Sequence, residues 1–278
     1  MSEFSLDFIV PTRNDIGSCS RVVAELRQQQ RDENMKLRIL ISVSDPTEQA
    51  NFERHFGEVD GVEVLPSTGD LSLYGNFRRL VHSSRAEWLS ICADDDSKAP
   101  DFAWSVRETI LSGSVLAVPE IQSRKYARPQ CDFDGEAERI GGKRISTLGD
   151  LLLPCSSWIF GAWRVDWIQH NFPSEDFDWL DVALVQNAVS KGRQVFMPVG
   201  RGVLTVGFTP HRLAWSVGAN GKHSTVGWKT YCRANVQLDV LWRRFVWRLV
   251  VEPKFQLLAS KLNYQARASR TGKMLKSR

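Results

Sequence analysis

Apolar runs that alternate with helical stretches constrain the fold of this chain more than any other feature of its sequence. The strand-like runs are residues 5–10, 37–43, 61–65, 87–92, 115–118 and 194–198. The stretches with helical spacing are residues 18–30, 48–56, 74–84 and 177–190, with a further helix after Pro100. Strands that alternate with helices of about ten residues predict a mostly parallel central sheet covered by helices on both faces. We therefore expect an α/β fold built as a three-layer sandwich.

Length and charge distribution predict one large domain followed by a basic segment. The 278 residues are enough for one α/β domain with a helical C-terminal appendage. We place the domain at residues 1–207 and a largely helical extension at 208–278. From Arg243 to Arg278, ten Lys and Arg residues stand against one acid, Glu252, so this stretch carries about +9 and the rest of the chain about −5.

The basic stretch has three interpretations. It lacks a recognisable nucleic-acid-binding module, so we expect no nucleic acid as partner. It is either a solvated helical appendage or an interfacial helix. In the second case Trp242, Phe245 and Trp247 lie in the membrane interface while arginines face an anionic lipid surface.

Cysteine usage and the amino terminus predict where the protein works. The five cysteines are scattered, odd in number and without a C-x-x-C pair, which indicates reduced thiols rather than a zinc site or disulfides. The first residues lack the basic and apolar regions of a signal peptide. No run approaches the ~18 apolar residues that a spanning helix needs. We expect a cytoplasmic protein, either soluble or peripheral on the inner face of the membrane through its basic segment.

An acidic triplet, Asp94-Asp95-Asp96, directly follows the apolar run at 87–92. In an open α/β sheet, ligands bind beyond the carboxyl ends of the strands. Adjacent carboxylates repel one another and raise each other's pKa values. Bound Mg²⁺ or Mn²⁺ relieves that repulsion, and such ions take one or two carboxylates together with water and substrate phosphate. The alternative is a solvated acidic turn that caps the next helix.

The first strand ends in a polar turn, Pro11-Thr12-Arg13-Asn14. A turn in this place presents backbone groups and side chains to a nucleotide, and we interpret these four residues as nucleotide-binding. The chain has no G-x-G-x-x-G and no G-x-x-x-x-G-K-[ST] pattern, which argues against dinucleotide and P-loop sites.

Taken together, these patterns resemble glycosyltransferase family 2, the large inverting group with the GT-A fold. The family pattern V-I-P-T-Y-N corresponds to I-V-P-T-R-N at Ile9–Asn14. Its G-N-x-N motif corresponds to Gly75–Arg78, with Arg at the second Asn. Its G-E-Y-I-x-F-L-D-x-D pattern corresponds to Ala86–Asp96, where Ala93 replaces the first acid. The resemblance covers roughly residues 5–200.

The resemblance assigns roles to the acids near the predicted nucleotide. By its register, Asp95 is the expected metal ligand, Asp94 faces the ribose, and Asp96 is a second metal or water contact. The family's second strand usually ends in D-D-G-S, and here the corresponding letters are S-D-P-T. Asp45 is therefore the acid expected to meet the nucleotide base. Asn76 of the G-N motif is assigned to the nucleotide sugar.

The resemblance also implies a general base and a further metal ligand. The family places an E-D pair at the start of a late helix, eleven or twelve residues before a glycine. Counting back eleven from Gly192 reaches Asp181, the implied base, with Asp178 in reserve. Asp181 also suits an ordinary first-turn acid favoured by the helix dipole. Some GT-A enzymes complete the metal shell with a late histidine, here His211 or, as second choice, His223.

The resemblance as a whole implies an inverting glycosyltransferase that depends on Mn²⁺ or Mg²⁺. It moves one sugar from a nucleotide-diphospho-sugar donor to a hydroxyl of a glycan or lipid-linked glycan acceptor, in surface polysaccharide or glycoconjugate biosynthesis. The nucleotide-binding half is about residues 1–122 and the acceptor half about 123–207.

Two alternatives stay open. A sugar nucleotidyltransferase uses a related sheet, but no Gly-rich, Lys-containing loop follows the first strand here. A degenerate GT-A domain that serves as a scaffold is compatible with Ala93 and with Leu180, which stands at the Glu of the E-D pair.

Overall fold

The computed structural model of the chain describes residues 3–69, 72–110, 112–123, 156–174, 180–191, 193–198 and 200–206. Predictions for Asp178, His211, His223 and the extension at 208–278 lie outside the described residues. The division of the chain into a domain at 1–207, with halves at about 1–122 and 123–207, and an extension at 208–278 therefore stays a prediction.

Strands and helices alternate through the first half of the chain. The strands are β1 Phe4–Thr12, β2 Met35–Val43, β3 Val62–Val64, β4 Trp88–Ile91, β5 Ser97–Lys98, β6 Ser114–Val118, β7 Ile121–Ser123, β8 Ala162–Arg164, β9 Arg193–Phe196 and β10 Leu204–Val206. The helices are α1 Ile16–Arg27, α2 Gln49–Phe56, α3 Leu73–Ser83, α4 Phe102–Thr109, α5 Val165–Asn171 and α6 Leu180–Lys191. None of these described helices is long and apolar enough to cross a membrane.

Seven of the described strands form the main sheet, in the order β3-β2-β1-β4-β8-β6-β9. Neighbouring strands run parallel except at β8, which is antiparallel to both β4 and β6. A small second sheet has the order β5-β10-β7. The predicted mostly parallel α/β architecture is confirmed.

Helices cover both faces of the main sheet, as is usual for mostly parallel sheets. Leu80 on α3, Ile168 on α5 and Leu184 on α6 belong to the apolar cluster on one face. The cluster on the other face includes side chains from α1, α2 and α4, among them Val22 and Phe52. The three predicted layers are therefore present.

Short elements escaped the sequence analysis. Strand β8, helix α5 and the three strands of the small sheet were not predicted. Each of these strands has only two or three residues. An alternating pattern needs about four to eight residues to be recognised, so such strands leave no periodic signal.

A buried carboxylate, Asp7, fixes the start of β1 against the end of α3. It is 2% exposed and accepts hydrogen bonds from Arg38 Nε at 3.1 Å and Nη2 at 2.8 Å. It also accepts from Ser84 Oγ at 2.6 Å and from the backbone N–H groups of Arg85 and Ala86. Burial alone would raise the pKa of Asp7, but the hydrogen bonds and the charge of Arg38 hold it below its ordinary value.

Replacing this carboxylate should weaken the fold in a pH-dependent way. We expect Asp7→Asn to lower the free energy of unfolding by about 2–3 kcal/mol at pH 7, because five donors lose a charged acceptor. A carboxyl whose pKa is lowered by folding stabilises above its unfolded pKa and loses that contribution as pH falls. The gap between wild type and variant should therefore shrink below about pH 4.

Urea unfolding between pH 3 and pH 8 measures this gap, with Asp60→Asn at an exposed position as control. A gap of the same size at pH 3 and pH 7 would contradict a stabilising role for the ionised carboxylate.

Candidate functional site

The carboxyl ends of β1, β2 and β4 lie side by side at one edge of the main sheet. The register pairs Thr12 at the end of β1 with Val43 at the end of β2, and Ile9 of β1 with Ile91 at the end of β4. The turns that follow these strands therefore meet. We refer to them as the carboxyl-end edge, which comprises residues 12–14, 44–45 and 93–96.

Asn76 on the first turn of α3 ties two of these strand ends together. Its side chain is fully buried, and its Nδ2 donates to Ser42 O at 2.9 Å, Ser44 Oγ at 2.9 Å and Thr12 O at 3.2 Å. Two of these three neighbours are carbonyl oxygens, so the amide nitrogen must face them. The structure thus places Asn76 beneath the edge, where it supports the backbone.

Thr12 connects the first strand to the acidic triplet. Its Oγ1 donates to Asp94 Oδ2 at 2.7 Å, and both side chains are buried. The carbonyl of Thr12 accepts from Ser44 N at 2.9 Å and from Ser44 Oγ at 3.2 Å. The polar atoms of Thr12 therefore bind protein groups at the ends of β2 and β4.

The acidic triplet forms a compact turn in which its members differ in exposure. Asp96 N donates to Ala93 O at 2.9 Å, and Ala93 N donates back to Asp96 Oδ2 at 3.2 Å. Asp94 and Asp96 are each 1% exposed, whereas Asp95 is only partly buried. Asp95 is therefore the member of the triplet with the best access to solvent.

The other residues predicted to bind nucleotide also differ in their exposure to solvent. Pro11 is buried in the sheet, while Arg13 and Asn14 are exposed at the edge. Asp45 lies next to them and accepts from Thr47 Oγ1 at 2.7 Å and Thr47 N at 3.0 Å. These hydrogen bonds, together with the nearby charge of Arg13, lower the pKa of Asp45. The solvent-accessible part of the edge thus holds the exposed Arg13 cation, the exposed Asn14 amide and the partly buried, ionised carboxylate of Asp45.

Asp181 lies in the first turn of α6 and faces α3. Tyr74 OH donates to Asp181 Oδ1 at 3.5 Å, a long hydrogen bond. Tyr74 and Asn76 both lie in the first turn of α3, and Asn76 binds the ends of β1 and β2. Asp181, which Tyr74 contacts, therefore lies near the same strand ends. The structure brings the candidate base to the same end of the molecule as the acidic turn.

Two cations near the acidic turn were missed by the sequence analysis. Arg21 on α1 donates to backbone carbonyls of Asp94 and Asp96. Lys98 on β5 is 4% exposed, donates to Phe160 O at 2.9 Å and lies 4.1 Å from the centre of the Phe102 ring. Burial lowers the pKa of Lys98 to about 8. Neither residue belongs to a motif, so only the fold reveals them.

The donor set suits a hard divalent cation held through few protein ligands. Among the described residues, no three His, Cys, Asp or Glu side chains come together as a metal-binding group. Mg²⁺ and Mn²⁺ use oxygen ligands, commonly one or two carboxylates, and complete their shell with water and substrate phosphate. The partly exposed carboxylate of Asp95 fits this pattern, while Asp96, the predicted second metal or water contact, is buried with its carboxylate bound to Ala93 N.

Converting the Asn76 amide to a carboxylate tests its place under the edge. We expect Asn76→Asp to lower the free energy of unfolding by about 3 kcal/mol or more at pH 7, because a buried carboxylate would face two carbonyl oxygens. Burial raises the pKa of such a carboxyl, so the penalty should grow as pH rises above about 4 and shrink below it.

Urea unfolding at pH 4 and pH 7 measures this effect, with Asn34→Asp at an exposed position as control. A loss below about 1 kcal/mol at both pH values would show that the three hydrogen bonds contribute little.

Comparison with known proteins adds a structural relationship. No protein-family model matches the sequence, and neither does any curated protein. Residues 1–349 of TarS from S. aureus, solved with UDP, match at 11% identity and a TM-score of 0.66, over 91% of this chain and 72% of that chain. The same protein solved with UDP-GlcNAc matches at 12% identity and a TM-score of 0.64, over 88% and 70%.

The mannosyltransferase PcManGT from Pyrobaculum calidifontis, solved with GDP-Man and Mn²⁺, matches at 14% identity. Its TM-score is 0.60, over 97% of this chain and 79% of that chain. TarS and PcManGT are both GT-A-type glycosyltransferases. At these identities the similarity concerns the fold, and on that ground the chain has the GT-A fold that its sequence motifs resemble.

Proposed function

We propose that this chain is a glycosyltransferase that uses a nucleotide-diphospho-sugar donor. The observation that carries the proposal is the carboxyl-end edge, where the acidic turn after β4 lies beside the polar turns after β1 and β2. Ligands of open α/β sheets bind at this edge. Proteins of the same fold are solved with UDP, UDP-GlcNAc or GDP-Man, which supports this class of ligand.

The exposed residues of the edge suit the parts of such a donor. The Arg13 guanidinium can pair with phosphate oxygens, since its planar fork matches their geometry. Asp45 offers an ionised carboxylate that can accept N–H groups of the base. Thr12, Asn76 and Asp94 are buried and form hydrogen bonds to protein groups, which supports a role in shaping the edge. Their contacts with the nucleotide sugar stay predictions.

A divalent cation, Mn²⁺ or Mg²⁺, fits beside the acidic turn. Asp95 would hold it, with Asp96 as the second acid. The buried carboxylate of Asp94 is bound to Thr12 and supports the turn. When bound, the cation stabilises negative charge on the leaving diphosphate. His211 stays a predicted further ligand.

Asp181 is the proposed general base. Its carboxylate takes the proton of an acceptor hydroxyl while that oxygen forms a bond to the anomeric carbon. The bond between the anomeric carbon and the diphosphate oxygen breaks, and the nucleoside diphosphate leaves with the electron pair. Direct displacement of this kind inverts the anomeric centre. The Tyr74 hydroxyl, 3.5 Å from Asp181 Oδ1, is close enough to help orient the base.

The acceptor is proposed to be a hydroxyl of a glycan or a lipid-linked glycan, in surface polysaccharide or glycoconjugate biosynthesis. Contact between the basic segment at 208–278 and an anionic membrane suits a lipid-linked acceptor and also stays a prediction.

Donor binding can be tested by thermal stability in a panel of nucleoside diphosphates and their sugars, with and without Mn²⁺. A ligand at about 100 times its dissociation constant adds about 2.7 kcal/mol, or on the order of 5–10 °C in melting temperature. We expect one nucleotide series to stabilise wild type with Mn²⁺. Asp95→Asn should lose the part of the shift that needs metal.

Asp60→Asn, at an exposed position, is the matched control and should keep the whole shift. If no nucleotide raises the melting temperature of wild type under any condition, the chain is a non-catalytic GT-A domain and the proposal is wrong.

The base can be tested separately from the donor site. We expect Asp181→Asn to lower kcat about 10²–10⁴-fold, because an amide cannot take the proton of the acceptor hydroxyl. Donor binding should stay as in wild type, since Asp181 is assigned to the acceptor. Steady-state kinetics and the thermal shift with donor measure the two effects. A loss in kcat below tenfold would exclude Asp181 as the base.

A further inference from the structure

We propose that Arg21 is a positioning residue that holds the acidic turn at 93–96 in the shape that leaves Asp95 accessible to a cation and donor phosphate. The inference rests on the proposed function. Arg21 lies on α1, more than 70 residues before the turn, and belongs to none of the sequence motifs.

The contacts of Arg21 go to the backbone of the turn. Its Nη2 donates to Asp94 O at 3.1 Å. Both Nη1 and Nη2 lie 3.3 Å from Asp96 O. One planar guanidinium thus binds the backbone carbonyls of Asp94 and Asp96, which lie on either side of Asp95. Because the guanidinium is rigid, it fixes the distance between these two carbonyls as well as their direction.

The turn also has hydrogen bonds of its own and one to β1. Asp96 N and Ala93 O close the turn, and Ala93 N binds the carboxylate of Asp96. Thr12 holds the carboxylate of Asp94 from the side of β1. Asp94 and Asp96 are both buried, while Asp95 between them keeps its access to solvent. Arg21, which lies on α1 outside the turn, maintains this difference in exposure through its hydrogen bonds to the Asp94 and Asp96 carbonyls.

Arg21 is itself held in place along α1. Its Nη1 donates to Glu25 Oε1 at 2.8 Å, in an i,i+4 pair whose side chains are 35% and 33% exposed. Such a pair contributes little stability on its own, but it restricts the directions that the guanidinium can take. The other buried cation near the turn, Lys98, instead donates to Phe160 O.

Charge gives Arg21 a second effect on the turn. Three consecutive carboxylates repel one another, and a cation bound to their backbone offsets part of that repulsion. The turn can therefore keep its shape before a metal ion arrives. A lysine would keep the charge but lose the two-pronged contact, so Arg21→Lys separates the two effects.

The test compares Arg21→Gln and Arg21→Lys with Arg27→Gln, an exposed position on the same helix. The first measurement is hydrogen exchange of the peptide that covers residues 92–97, in protein without ligand. We expect exchange about tenfold faster in both Arg21 variants and unchanged in the control. Unchanged exchange in Arg21→Gln would overturn the inference.

The second measurement is the Mn²⁺ concentration at the midpoint of the nucleotide-dependent thermal shift, with UDP and GDP as probes. We expect the midpoint to rise about tenfold in Arg21→Gln and by less in Arg21→Lys. Faster exchange with an unchanged Mn²⁺ midpoint would reduce Arg21 to a structural residue and overturn its positioning role. If wild type binds neither nucleotide, the function of the site fails, and the exchange result still decides whether Arg21 holds the turn.

Discussion

The buried amide of Asn76 is the contact on which the arrangement of the carboxyl-end edge depends. Parallel strands end with carbonyl groups that no further strand can satisfy, and a buried carbonyl without a donor is costly. Asn76 donates to Ser42 O, and it adds a donor to Thr12 O, which also accepts from Ser44 N and Ser44 Oγ. Thr12 in turn binds Asp94. One side chain of α3 thereby joins the ends of β1 and β2, alongside their own backbone hydrogen bond, and through Thr12 it is connected to the turn after β4.

Helix α3 connects the strand ends of the proposed donor site with the proposed base. From the turn that holds Asn76, Tyr74 reaches Asp181 on α6. One turn further, Arg78 donates to Pro173 O at 2.8 Å and Arg79 to Ser42 Oγ at 3.1 Å. These contacts run from β2 to the segment that precedes α6. Helix α3 therefore contacts residues of both halves of the proposed site.

The sequence specified the architecture and the location of the site, but not the way its side chains are used. Long apolar runs such as β1 are recognisable because burial on both faces leaves a continuous signal, and polar residues after them mark the sheet edge. Whether Asn76 contacts a ligand or the backbone depends on how deeply α3 docks, which no local pattern records. The contact of Arg21 with the acidic turn depends likewise on the packing of α1 against the sheet. Strand β8 was missed because three residues carry no period.

Three acids in a row look like three equivalent ligands, but consecutive residues of a tight turn point in different directions. Here Asp94 is engaged by a hydroxyl and Asp96 by a backbone N–H, so each stabilises the turn by accepting a hydrogen bond as a carboxylate. Their charges still act on the surroundings of Asp95, because Coulomb interactions are weakly screened in a buried site. A cation beside Asp95 would therefore be attracted by more charge than it could directly coordinate. The number of acids in the motif sets the electrostatic field of the site, while their exposure indicates which of them a metal ion meets first, here Asp95.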